Sequence, residues 1–192
     1  MTRRAHHVAL VAPLLGLGAL VAAAYPAAAL AAPAPLRVTG TTTVDGSSGA
    51  WTYDPASLPV GTRIRVGVTH PENGSTVVTL HVKGALPLRD YGAHAHVAAC
   101  GAVGAAAGGH FQFVPAPVGV PSTDPAYANP SNEIWLDLTT DEVGNGSARS
   151  AVAWQPGERR PMSVVIHASH TSTEPGTAGT AGPRLGCLTV GF

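Results

Sequence analysis

Thr62-Arg-Ile-Arg-Val-Gly-Val-Thr69, Pro71-Glu-Asn-Gly74 and Ser75-Thr-Val-Val-Thr-Leu-His-Val-Lys83 follow one another along the chain. The outer two segments alternate apolar and polar residues. Successive side chains on a strand point to opposite faces, so this period of two gives each segment one buried face and one wet face. Pro-Glu-Asn-Gly between them is turn chemistry, and the whole reads as a β-hairpin.

The same pattern recurs outward in both directions. Upstream, Val38-Thr-Gly-Thr-Thr-Thr-Val44 and Asp45-Gly-Ser-Ser-Gly49 predict a strand and turn, with strand character continuing to Trp51. Downstream, strands are predicted at Tyr91–Cys100, Glu133–Thr139, Ser147–Trp154, Met162–His167 and Leu185–Val190, separated by Gly, Pro and Asn turns. No segment keeps a helical period over three turns. The fold class is therefore all-β, a sandwich or barrel. Two stretches lack any period: Ala102–Pro130, crowded with Gly, Ala and Pro, and Thr171–Gly182, rich in Gly and Thr. Loops this long inside a domain usually carry function or are disordered.

The amino terminus is of another kind. Arg3-Arg4 precedes an apolar run from Val8 to Ala32, with a small-residue site at Ala29-Leu-Ala31. This predicts a secretory signal peptide over 1–31, a mature domain over 32–192 and a secreted, extracellular protein. The run is long enough to span a bilayer, but Pro13, Pro26 and the many alanines favour cleavage over a retained anchor. No stable membrane anchor then remains. The arginine pair matches a twin-arginine export signal poorly, so ordinary secretion is expected. Losing Arg3 and Arg4 turns the balance of 11 basic and 11 acidic residues slightly negative, which argues against a nucleic-acid partner. The two cysteines, Cys100 and Cys187, both lie in the exported part. An even count outside the cytosol suggests a disulfide, with two free thiols the alternative. Such a bridge closes a loop of about 87 residues, worth about 4 to 5 kcal/mol in the chain-entropy model.

Histidines carry the candidate chemistry. In an extended Gly92-Ala-His-Ala-His96, His94 and His96 share a face and can share one metal ion. His110 lies in the long loop and His167 ends a distant strand. Imidazole ligands suit copper and also zinc. An isolated strand histidine is more often a hydrogen-bonded, half-buried residue than a ligand, and His81 and His170 are read that way.

The order of motifs goes further. Gly92-Ala-His-Ala-His96, Gly108-Gly-His-Phe111, Val164-Val-Ile-His167 and Gly182-Pro-Arg-Leu-Gly-Cys187 together resemble the copper/zinc superoxide dismutase family, from about Thr39 to the end of the chain. The resemblance implies a Greek-key β-barrel or flattened sandwich with long loops. It implies copper ligation by His94, His96 and His167, and makes His110 the histidine that bridges copper and zinc in complete members. It places Arg184 beside the copper, where a guanidinium attracts and orients superoxide; an ordinary surface ion pair is the alternative. A Cys100–Cys187 bridge would fix the Arg184 segment near that site.

The chain also departs from the family. No histidine stands between His110 and His167, so zinc cannot be enclosed in the family's way, and the resemblance is to a copper-only branch. Asp124, Glu133, Asp137 and Asp141 remain, but carboxylates alone make a poor zinc site. Asp137 is either a partner of a ligand histidine or a solvated strand residue. The second loop holds only Glu174, so long-range steering should be weak. The implied activity is copper-dependent disproportionation of superoxide. The alternative is a secreted protein that binds or delivers copper without turnover.

Overall fold

The hairpin read from the sequence forms the centre of one side of a barrel. In the computed structural model, which describes residues 1–2, 34–120 and 122–192, Arg63–Thr69 (β3) pairs antiparallel with Thr76–Lys83 (β4) in the register Arg63↔Lys83 to Thr69↔Val77. Ile64, Val66 and Val68 of β3 and Val78, Leu80 and Val82 of β4 all turn inward and are buried. The predicted signal segment over 1–31 lies almost wholly outside the described residues.

The remaining strands are Leu36–Thr43 (β1), Gly49–Thr52 (β2), Asp90–His96 (β5), Leu138–Thr139 (β6), Gly146–Val152 (β7), Ser163–His167 (β8) and Arg184–Thr189 (β9). They join one nine-stranded sheet in the order β6-β5-β8-β9-β2-β1-β3-β4-β7. The sheet nearly closes on itself, because β6 and β7 at its two edges are consecutive in the chain and meet. A Cβ added at Gly146 would lie 2.6 Å from Leu138 Cδ1 and 3.1 Å from Thr139 O. The described residues from 34 onward form one compact unit with one main apolar core. Among the described residues the only helical piece is a 3-10 turn at Gly104–Ala107.

Two elements differ from the sequence expectation. β2 runs parallel to β1, Thr41 opposite Gly49, after a connection far shorter than a parallel crossover normally needs. Gly46 and Gly49, both at positive φ, permit the tight reversal, and Gly40 lets the two backbones meet, since a Cβ there would sit 2.8 Å from Gly49 C. The second difference is the strand expected over Glu133–Thr139, which pairs regularly only at Leu138–Thr139, with an isolated bridge between Trp135 and His94. The ladder breaks because the Asp137 carboxylate takes the place of a backbone carbonyl, accepting from Ala93 N at 3.2 Å.

Candidate metal centre

β5 is buried on both faces, and its alternation decides what each face holds. Ala93 and Ala95 face the apolar core. His94 and His96 face the other way and are also fully buried. β8 delivers His167 opposite Gly92 at its end. The long loop delivers His110 by an isolated bridge to His96, held by Phe111 N to Ala95 O at 2.8 Å and Val97 N to Gly109 O at 3.0 Å. The result is a cluster of four histidines whose ligating atoms lie within 4.8 Å of one another. Ring centroids are 4.1 Å apart for His94 and His110, 4.8 Å for His96 and His110, and 4.9 Å for His94 and His167. His81, on the outer face of β4, and His170, which faces Leu138 O at 3.2 Å, stand apart.

The hydrogen bonds fix which nitrogen of each ring carries its proton. His110 Nδ1 lies 2.8 Å from Glu133 Oε2; a carboxylate only accepts, so Nδ1 donates. His96 Nδ1 donates to Gly108 O at 3.0 Å, and His167 Nδ1 to Gly182 O at 3.2 Å. His94 is reversed. Its Nε2 lies 2.6 Å from Thr171 Oγ1, whose own proton goes to Asp137 Oδ1 at 2.6 Å, so Nε2 must be the donor. The lone pairs left over are His94 Nδ1 and the Nε2 atoms of His96, His110 and His167.

This donor set fits a metal ion on two further observations. His94 Nδ1 is buried without any hydrogen-bond partner, a costly state for a polar atom. His96 Nε2 and His167 Nε2 face each other at 3.4 Å, although the protons of both rings are committed elsewhere. A cation held among these lone pairs satisfies both. Burial favours the neutral imidazole at His94, His96 and His167, the form in which a histidine can ligate. It depresses His94 well below its usual value, brings His96 to about 2 and His167 to about 4, with the neighbouring histidines and Arg184 pushing the same way.

Two groups around the histidine cluster are not legible in the sequence. Glu133 is the first: it is 1% exposed and accepts from His110 Nδ1, from Trp135 Nε1 at 2.7 Å and from Gln112 Nε2 at 2.9 Å. In the sequence Glu133 is one of four carboxylates that make a poor zinc site, with nothing that ties it to His110. Spacing could not reveal this, because Glu133 and His110 meet only through tertiary folding. Thr171 is the second. It joins His94 to Asp137, which also accepts from Thr171 N at 2.7 Å, so Asp137 partners a cluster histidine through an intermediary. Gly92 lets the loop approach, since a Cβ there would meet Ser169 O at 2.4 Å.

Arg184 makes no ion pair among the described residues. It donates to Gly104 O and Gly108 O, each at 2.6 Å, and Gly108 O also receives the His96 proton. With His110 and His167 it lines an open cleft of ≈ 410 Å³, one wall of which is formed by Ala178–Gly182. Cys100 and Cys187 form a disulfide with Cα atoms 5.7 Å apart, tying the loop after β5 to the strand that carries Arg184.

Barrel and cluster together define an all-β protein with four histidines that can hold a metal ion. No family model and no curated protein matches the chain. Solved structures do. A double mutant of a SOD-like protein from Bacillus subtilis is 15% identical with a TM-score of 0.50, over 66% of this chain and 87% of that one. A single mutant of a SOD-like protein from the same organism is 14% identical with a TM-score of 0.50, over 66% and 88%. The clock protein EA4 is 17% identical with a TM-score of 0.52, over 82% and 94%. The fold is therefore superoxide-dismutase-like.

Proposed function

We propose that this chain is an exported, copper-dependent superoxide dismutase. His94, His96, His110 and His167 hold a single copper ion, and Arg184 serves the substrate. The reading rests on the convergence of four imidazole lone pairs, one of them the buried, unpartnered His94 Nδ1, beside a cleft that Arg184 lines. An all-nitrogen set of this kind suits copper. The single metal is supported by Glu133, which occupies the Nδ1 of His110 that a second metal would need. When bound, copper supplies the one-electron couple by which two superoxide anions and two protons become oxygen and hydrogen peroxide.

The rest is the work of the chain. Arg184, held by the two glycine carbonyls, keeps a positive charge at the cleft wall, which attracts an anion and orients it toward the edges of His110 and His167. Glu133 and the Thr171–Asp137 pair fix the tautomers of His110 and His94, so that each presents a lone pair. The disulfide supports export, since such bonds persist in oxidising compartments.

The test is metal analysis of the purified protein with a superoxide-removal assay after copper addition. One copper per chain, and activity that collapses in His94→Ala, is the expected result. One copper per chain without superoxide removal would overturn the dismutase and leave a copper-binding or delivery protein.

A further inference from the structure

The lysines and arginines of residues 34–192 fall into two groups. Arg89 lies over the Tyr91 ring, Arg159 lies over Phe111 and reaches Gln112 O, Arg160 donates to Gly157 O and Phe192 O, and Arg184 holds Gly104 O and Gly108 O. Arg37, Arg63, Arg65, Lys83 and Arg149 do nothing of the kind. Each is exposed, and among the described residues none forms an ion pair.

All of this second group stand on one surface. Their strands are neighbours in the order β1-β3-β4-β7, and alternation sends these side chains outward while Ile64, Val66, Leu80 and Val82 turn inward. No aspartate or glutamate occupies any of these four strands. The nearest acids in the chain sit in turns, and Asp141 spends an oxygen on Val143 N and Asn145 N. Arg63 is directly opposite Lys83, a like-charge pairing that weakens a sheet. A nearly neutral chain thus concentrates its unspent positive charge on one sheet face.

The face also has a seat for an anion. Gly67 pairs with Arg37 on one side and Thr79 on the other. Around it lies a hollow of ≈ 280 Å³ lined by Arg37, Arg65, Thr69, Thr79 and His81. A Cβ at Gly67 would fall 2.8 Å from Thr79 Oγ1, so glycine keeps the floor open. Guanidinium and hydroxyl groups around such a hollow suit a phosphate oxygen.

We propose that this face docks on the anionic surface of a lipid bilayer, with a lipid phosphate seated over Gly67. Four neighbouring strands at spacings of about 4.8 Å, with the charges on three levels at two-residue steps of about 6.6 Å, spread them over roughly 15 Å by 13 Å, broad enough to meet more than one headgroup at once. Five cations without a single acid on these strands give the face the charge complementarity that an array of anionic headgroups requires. No fully exposed large apolar side chain stands on the outward positions of these strands, so the contact is electrostatic and reversible.

The test is co-sedimentation of the exported protein with vesicles of phosphatidylcholine alone or mixed with phosphatidylglycerol. Whatever apolar segment the protein retains meets both vesicles alike, so the difference between them isolates the charged face. Binding is expected only to the anionic vesicles and is expected to fall steeply with salt. A basic residue near an anionic leaflet contributes roughly fivefold, so the double variant Arg65→Gln/Arg149→Gln should bind about 30-fold more weakly, while Arg89→Gln binds as the parent does. Near-ultraviolet circular dichroism confirms that each variant is folded. Equal binding by parent and double variant overturns the proposal. So does binding to soluble polyphosphate without binding to the vesicles, which makes the partner a free polyanion, or no binding at low salt.

Discussion

Glu133→Gln keeps the shape of a buried side chain and removes its charge, so it isolates what the carboxylate does. Both oxygens are used: Oε2 accepts from His110 Nδ1 and Trp135 Nε1, and Oε1 from Gln112 Nε2. An amide offers one acceptor. Directed at His110 and Trp135, it turns its NH2 on the NH2 of Gln112, which cannot flip freely because Gln112 Oε1 already accepts from Ala116 N at 3.0 Å. Three charge-assisted hydrogen bonds become at best two neutral ones and a clash of donors, costing about 3 kcal/mol of folding stability. Weakening the partner that fixes a ligand's tautomer typically lowers metal affinity by about 10- to 100-fold. Urea unfolding of the metal-free protein measures the first effect, and competition against a copper chelator the second. Thr76→Val provides the control. Its hydroxyl is buried and donates to Trp154 O at 2.7 Å, away from the cluster, so its loss should cost about 1 to 2 kcal/mol of stability and leave copper affinity unchanged. If Glu133→Gln binds copper as tightly as the parent, and the His110 Nδ1 proton keeps its nuclear magnetic resonance position, the role given to Glu133 is wrong.

Two further outcomes concern stability. Replacing both Cys100 and Cys187 by serine releases an 87-residue separation, worth about 4.5 kcal/mol, and should lower the melting temperature by roughly 10 to 15 °C; a change under 3 °C in calorimetry would contradict this. Metal-free protein should also lose stability in acid. His167 and His96 titrate at about 4 and about 2 in the fold, below the value near 6.5 of an unfolded chain, so the unfolded state takes up protons first. Their contribution is complete above pH 6.5 and falls as the pH drops, His167 alone losing on the order of 3 kcal/mol by pH 4. A urea midpoint that stays flat or rises from pH 7 to pH 4 would refute the sign.

The parts of the fold that the sequence made legible are those governed by local pattern. Period-two alternation with turn residues exposed the β3–β4 hairpin, the all-β class and the position of β8, because burial of one sheet face acts directly on residue choice. Where a side chain substitutes for backbone, pattern misleads. Glu133–Thr139 alternates like a strand, yet Asp137 breaks the ladder by accepting from Ala93 N. The parallel pairing of β1 with β2 was likewise hidden, since it depends on glycines whose need appears only when two backbones meet. At the candidate site, the His-x-His spacing pointed to a shared face, and the fold brings His110 and His167 to it. Glu133 and Thr171 had no such signal, being polar residues like many others until the fold sets them against His110 and His94.

The bond from Thr171 makes the unpartnered Nδ1 of His94 hostage to a loop. Thr171 opens the stretch running to Gly182, and its hydroxyl alone receives the Nε2 proton of a ring that is otherwise sealed in. While the loop is seated, that proton stays outward and Nδ1 keeps its lone pair. Should the loop lift, nothing holds the proton at Nε2, and its transfer to Nδ1 would switch off the donor atom without moving the ring. The loop thereby sets the donor state of His94 through one proton rather than through a change in the shape of the cluster.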